Sequence, residues 1–241
     1  MAKSRMRTPG VYINEINAFP NSVVPVETAI PAFIGYTPQA NYQGKSLLKV
    51  VNKISSFTEF KTMYGYPDLP SPADPTKQYS PAYYLVKQKS QPKKGEYILI
   101  DGDYYSILPD PNTIYYLFNS IQLFYENGGE KAYIVSVGTY QDPSKKPINP
   151  LDQLINPNIK LNDLLDGLKL LNNELKPTMY LCPDATLLSR KENSTLMQRM
   201  LKQNSEMGNS ISLFDIIGAD NPDSTLYVKD IESFRSNIGV N

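Results

Sequence analysis

The sequence predicts an α/β protein: a mainly parallel, helix-covered sheet with an extended N-terminal arm and an insertion that contains a β-hairpin. Three observations predict it. Helical and strand-like segments alternate from residue 113 to 238, as in parallel strands joined by right-handed crossover helices. A strand-like run near the start is separated from the first apolar strand by Phe19-Pro20 and Val24-Pro25, which block a helix. Between two apolar runs sits Asp101-Gly102, a pair preferred in tight hairpin turns. The expected organisation is an arm over 1–27, the start of the core over 28–65, an insertion over 66–111, and the rest of the core over 112–241.

Taken in order, Thr8-Pro9-Gly10 is a turn that launches the loosely alternating run Val11 to Ile16. Ala32 to Tyr36 reads as a short buried strand and Leu47 to Ile54 as another. Ser56 is the expected N-cap of a helix over Phe57 to Tyr64, with Glu59 in capping-box position. The stretch from Gly65 to Pro81 holds five prolines and reads as a connector, structured or mobile. Residues 82–88 suit a short helix or a strand. Tyr97 to Ile100 and Tyr104 to Ile107 form the hairpin around Asp101-Gly102.

The core resumes with an amphipathic helix over Thr113 to Glu126, burying Tyr116, Ile121 and Phe124. Asn127-Gly128-Gly129 caps its C-terminus. Ala132 to Val137 is a buried strand, and 139–158 a polar loop. Leu161 to Leu175 forms a helix stopped by Pro177, and Thr178 to Cys182 a strand. Thr186 to Met207 is mostly helix and ends at Gly208-Asn209. Ile211 to Ile217 is a strand, Gly218 to Asp223 a loop, and Tyr227 to Ile238 the last helix.

Composition narrows the function. The chain has 241 residues, enough for a substantial core. Lys plus Arg and Asp plus Glu each number 24, so net charge is zero. That removes the electrostatic case for nucleic acid or an anionic membrane as main partner. It also leaves little self-repulsion against association. There is no histidine, which excludes His-based metal sites and Ser-His-Asp or Cys-His catalysis. The single Cys182 cannot form an internal disulfide, in keeping with synthesis in a reducing compartment. The basic start, Met1 to Arg7, is followed by no apolar stretch, and no run is long enough to span a bilayer, so neither signal peptide nor membrane insertion is expected. The 18 tyrosines suit interfaces, but AT-rich coding produces the same richness.

Candidate chemistry is sparse. Asn127-Gly128-Gly129-Glu130 follows a helix and precedes a strand, the reverse of a phosphate loop. In Leu181-Cys182-Pro183-Asp184, Cys182 is a conceivable nucleophile and Asp184 an orienting acid at a strand end, where open α/β sheets place ligands. The structural alternative makes Asp184 or Thr186 an N-cap. Asp215 and Asp220 near the next strand end could join Asp184 around a divalent cation, although no known loop spacing is present. Lys3, Arg5 and Arg7 could meet an acidic neighbour. No catalytic constellation or cofactor site emerges, and an enzyme is not the expectation. The alternative is a ligand-binding or enzymatic doubly wound domain using Asp184 and Asp215. A further one is an adhesin that uses the Tyr-rich hairpin 97–107.

Two longer motifs carry a resemblance. Thr8-Pro9-Gly10-Val11-Tyr12-Ile13-Asn14-Glu15, followed by Thr28-Ala29-Ile30-Pro31-Ala32-Phe33-Ile34-Gly35, resembles the opening of the phage tail sheath family. Phe124 to Val135, an aromatic helix end followed by Asn-Gly-Gly and a Tyr-Ile-Val strand, resembles a second family motif; Ser233-Phe234-Arg235 is a weaker third. The family includes sheaths of myophage tails, R-type pyocins and extracellular contractile injection systems. The resemblance implies a structural, homo-oligomeric subunit of such a machine, whether phage tail, bacteriocin or injection system. It would be made in the bacterial cytoplasm and carried in a virion or released particle. Implied partners are neighbouring sheath subunits, the inner tube, and baseplate and terminal cap proteins. The implied interface is the arm strand: Pro9, Gly10, Val11, Tyr12, Ile13, Asn14, Glu15 and Ile16 would add to a neighbour's sheet. Family members continue into a C-terminal domain that supplies the arm's partner strands and grips the tube; the expectation is that residues 1–241 lack it.

Overall fold

The computed structural model describes residues 29–65, 81–93, 95–140, 154–217 and 227–239. Mixed α/β architecture is plain: a mainly parallel five-stranded sheet, five α-helices, and a separate three-stranded antiparallel sheet among those residues. The arm assignment, the interface residues Pro9 to Ile16 and most of the Pro-rich connector lie outside them.

Strand β1 (Pro31–Thr37) is the centre of the main sheet and is buried at every position. It pairs in parallel with β8 (Ala132–Thr139) on one side and β9 (Met179–Leu181) on the other. Outside β9 lies β10 (Ile211–Leu213), also parallel. Outside β8 lies β4 (Val51–Ile54), which is antiparallel and follows a short hairpin of β2 (Asn41–Tyr42) and β3 (Lys45–Ser46). Near-continuous apolar sequence in β1 and β8 follows from burial on both faces. Alternate residues serve opposite layers. Ala32, Ile34, Tyr36, Tyr133, Val135 and Val137 pack with α3 (Leu161–Leu170) and α4 (Arg190–Met207). Phe33, Ala132 and Ile134 pack with α1 (Phe57–Tyr64) and α2 (Tyr116–Glu126).

Helix ends follow local chemistry. Ser56 Oγ accepts from Glu59 N at 3.1 Å, and the Glu59 carboxylate accepts from Ser55 N at 2.8 Å, one residue before the expected donor. Helix α2 ends in a Schellman turn. Gly128 adopts φ of 86°, Gly128 N donates to Tyr125 O, and Gly129 N donates to Phe124 O at 2.9 Å. The last helix, α5, spans Tyr227–Ile238 as expected.

Several boundaries move. The strand expected from Leu47 starts only at Val51, because Lys49 takes a left-handed φ of 56° and its N–H bonds Ser136 O instead. Helix α2 starts at Tyr116, since Pro111–Thr113 is a tight 3-10 turn and Tyr115 is not helical. It buries Leu117, Phe118 and Ile121, while Tyr116 and Phe124 are only half-buried. Helix α3 stops at Leu170 and tightens into a 3-10 turn over Leu171–Asn173, well before Pro177. The helix expected from Thr186 is a 3-10 turn, Pro183–Leu187, and then α4 from Arg190. Ser189 caps α4 in a reciprocal capping box with Glu192, so neither Asp184 nor Thr186 is its cap. Strand β10 ends at Leu213 rather than Ile217.

Three further strands form the second sheet, in the order β5 (Tyr83–Gln88), β7 (Asp103–Pro109), β6 (Tyr97–Ile100). Residues 82–88 therefore resolve as strand. Asp101 and Gly102 have φ of 50° and 86°, the two positive values that a type I′ hairpin turn requires. On one face of the main sheet, helix α3 approaches closely at Gly167, where an added Cβ would lie 2.4 Å from Val137 Cγ1 and 2.9 Å from Ile34 Cγ2. Gly167→Ala should therefore overpack this layer and cost about 1–3 kcal/mol, despite alanine's better helix propensity. Urea unfolding measures it. A variant as stable as the parent would mean that α3 is free to slide outward.

Candidate functional site

The C-terminal ends of β1 and β9 are where a doubly wound sheet would hold a ligand. Strand β9 accompanies β1 only from Pro31 to Phe33. Beyond that point β1 has lost its neighbour, and the chain after β9 turns across the gap through Pro183–Leu187. Asp184 fills it. Its Oδ2 accepts from Tyr36 N at 2.7 Å, and its Oδ1 accepts from Leu117 N at 3.4 Å and from Tyr140 Oη at 3.5 Å. Leu117 lies in the first turn of α2, which has no cap of its own. Asp184 thus serves as a cap supplied from elsewhere in the chain, where the helix dipole favours negative charge.

Space is as fully used as hydrogen-bonding capacity. Asp184 has no exposure to solvent. A Cβ on Gly35 would sit 2.4 Å from Asp184 Oδ2 and 3.4 Å from Leu117 Cβ, so Gly35 is what lets the carboxyl reach the strand. Burial pushes the Asp184 carboxyl up to about 7, against the pull of its three donors. Cys182 beside it is buried, and burial followed by the Asp184 charge drives its thiol well above its ordinary value. Such a sulfur is a thiol at neutral pH and a poor nucleophile.

The other candidates do not converge on this point. Asp215 is exposed past the end of β10, and Asp220 lies outside the described residues. Among the described residues, no three His, Cys, Asp or Glu gather closely enough to hold a metal ion, and no helix is long and apolar enough to cross a membrane. Tyr36 Oη donates to Asp163 Oδ2 at 2.8 Å and accepts from Lys160 N at 3.1 Å, tying the same strand end to the start of α3. Sequence reasoning weighed Asp184 as an acid, cation ligand or cap for its own helix. It missed the link to Tyr36 and Leu117, whose partners lie far off in the chain. The Ser189-x-x-Glu192 pattern is the sequence signal that marks the start of α4.

The exposed candidate surface is the second sheet. One face carries Tyr83, Leu85, Ile98, Ile100, Tyr105 and Ile107, with a Lys87–Asp103 ion pair at its end. Tyr97 and Tyr104 meet edge to face on the opposite side. No family model matches this chain, and no curated protein matches it.

The Asp184 geometry makes a pH prediction. Its folded-state value of about 7 lies above the ordinary 3.8, so the folded chain holds a proton that the unfolded chain releases. The stability this group contributes is full below the ordinary value and is lost as pH rises through the folded one. The unfolding free energy of the native chain relative to Asp184→Asn should fall between pH 4 and 7 and then level off. The fall should be at least about 1.4 kcal/mol, the worth of one pKa unit. Urea titrations of both chains across that window measure it, and a flat difference would contradict the burial argument.

Proposed function

We propose that this chain is a structural subunit of a contractile tail sheath that assembles helically around an inner tube and contracts to drive it through a target envelope. The observation that carries the reading is the pair of sheath-like motifs, Thr8 to Gly35 and Phe124 to Val135, at matching order and spacing. Their positions in the fold support it. Ile30 to Gly35 leads into the central strand β1, and Phe124 to Val135 joins helix α2 through a Schellman turn to its neighbour β8. Motifs that form two adjacent central strands are what a shared core would keep.

On this reading, Pro9 to Ile16 is the strand-donating arm, linked to the core by the extended segment through Pro20 and Pro25. Main-chain hydrogen bonds give such a joint strength without special side chains. The stroke draws on the difference in packing between an extended and a contracted lattice, so it needs no nucleotide or catalytic group. Residues 66–111 are an insertion decorating the core and facing outward, since additions are tolerated on a lattice's free surface. The partners are neighbouring subunits, the tube, and the baseplate and cap. The small-ligand alternative gains nothing from Asp184, whose oxygens are both engaged inside the fold.

Deleting residues 1–16 from the complete protein should abolish helical assembly while circular dichroism and melting report a folded core. Intact sheaths in electron micrographs of that deletion would sink the arm assignment.

A further inference from the structure

The two helical layers cover the main sheet unevenly. On the side of α3 and α4, Tyr180 is packed in the core and Ser212 Oγ accepts from Asn204 Nδ2 of α4 at 2.7 Å. On the other side, the buried cluster under α1 and α2 takes residues from β4, β8 and β1 and none from β10. Alternation puts Met179, Leu181, Ile211 and Leu213 on that side, in register with Pro31 and Phe33. Leu181 is half-buried at the margin of the cluster, while Ile211 and Leu213 are 58% and 48% exposed. Among the described residues, this half of the face has no helix of its own. A contiguous apolar patch marks a contact surface.

The chain supplies an occupant. Ile30 N donates to Thr178 Oγ1 at 3.0 Å, and the Ile30 carbonyl accepts from Thr178 N and Met179 N. The chain thus enters β1 beside the start of β9, at the foot of the patch. Just ahead, Ala29 takes a left-handed φ of 60°, which turns the backbone out of the line of β1. Before it comes Phe19-Pro20-Asn21-Ser22-Val23-Val24-Pro25-Val26, uncharged and mostly apolar, with two prolines that favour extended backbone. Six extended residues span about 20 Å, so Val23 is within that distance of Ala29. Strand β10 is two strand spacings from β1, about 10 Å, well inside this reach. The other segments outside the described residues are tethered elsewhere. Residues 66–80 join the end of α1 to β5, and 141–153 lead to Leu154, which packs on the α3–α4 side. Residues 218–226 lead to α5, whose Asn237 carbonyl accepts from Gln198 Nε2 of α4.

We propose that Val23, Val24 and Val26 pack on Met179, Leu181, Ile211 and Leu213 of the same chain, closing the uncovered half of the sheet. The tether favours this occupant over any other. A short linker holds the two surfaces at an effective concentration in the millimolar range, far above that of a second copy in dilute solution. The contact is independent of the sheath reading. It leaves Pro9 to Ile16 free to reach a neighbour and sets the point from which they start.

Variants of the full chain test the contact. Leu213→Cys puts a thiol in the patch, and the unsubstituted chain, whose Cys182 is buried, is the control. Maleimide should label the new thiol several-fold faster when Val23→Ser, Val24→Ser and Val26→Ser are added. Val11→Ser with Ile13→Ser should leave the rate unchanged. In urea, the three valine substitutions should lower the unfolding midpoint, and should lower it less when Leu213→Ser is already present, because groups in contact are not additive. Equal labelling rates, or strictly additive midpoint shifts, overturn the contact. A coupling that strengthens with protein concentration also overturns it, and gives the patch to the same segment of a second copy.

Discussion

The hydrogen bond from Tyr36 N–H to Asp184 holds together the part of the core where three elements would otherwise part. Strand β9 is too short to accompany β1 to its end, and β1 is buried throughout. An unpartnered buried N–H there would cost about 1–3 kcal/mol. Asp184 satisfies it, and its other oxygen holds the first turn of α2. Gly35 leaves the space through which the carboxyl reaches. The price is a desolvated acid. That cost is why the group holds its proton to near neutral pH.

The contrast between the two sheets follows from burial. In the main sheet, residues of one strand alternate between two helical layers, and nearly every side chain of β1 and β8 is covered. The second sheet has apolar residues on both faces and four exposed positions in β6. A three-stranded sheet is at the lower limit of independent stability, and exposed apolar area concentrated on one such sheet is a mark of association. The catalytic candidates sit in the well-packed part, and the surfaces fit for contact lie away from it.

Much of the fold could be read from local patterns. The α1 and α5 helices, the Asp101-Gly102 hairpin and the Asn127-Gly128-Gly129 helix end each depend on a few adjacent residues, and each lies where the residues indicate. The errors were of two kinds. Lys49 and Tyr115 adopt backbone angles set by distant partners and packing, and they shortened a strand and a helix. Thr186 looked like a helix residue, but the chain needs a 3-10 turn there to carry Asp184 across the sheet before Ser189 starts α4.

By itself, the sequence determined the α/β class, the alternation of elements, the absence of His-based chemistry, and the motifs that resemble a sheath subunit. These depend on composition, periodicity and short-range capping, all of which neighbouring residues carry. Only the tertiary structure decided that β1 is central, that β4 runs antiparallel, that Asp184 is a buried joint between β1 and α2, and that the described helices leave the β9–β10 half of one sheet face uncovered. Strand order and the fate of a carboxyl are set by which distant segments meet. Tyr36 and Asp184 are 148 residues apart, and no local pattern in either segment names the other.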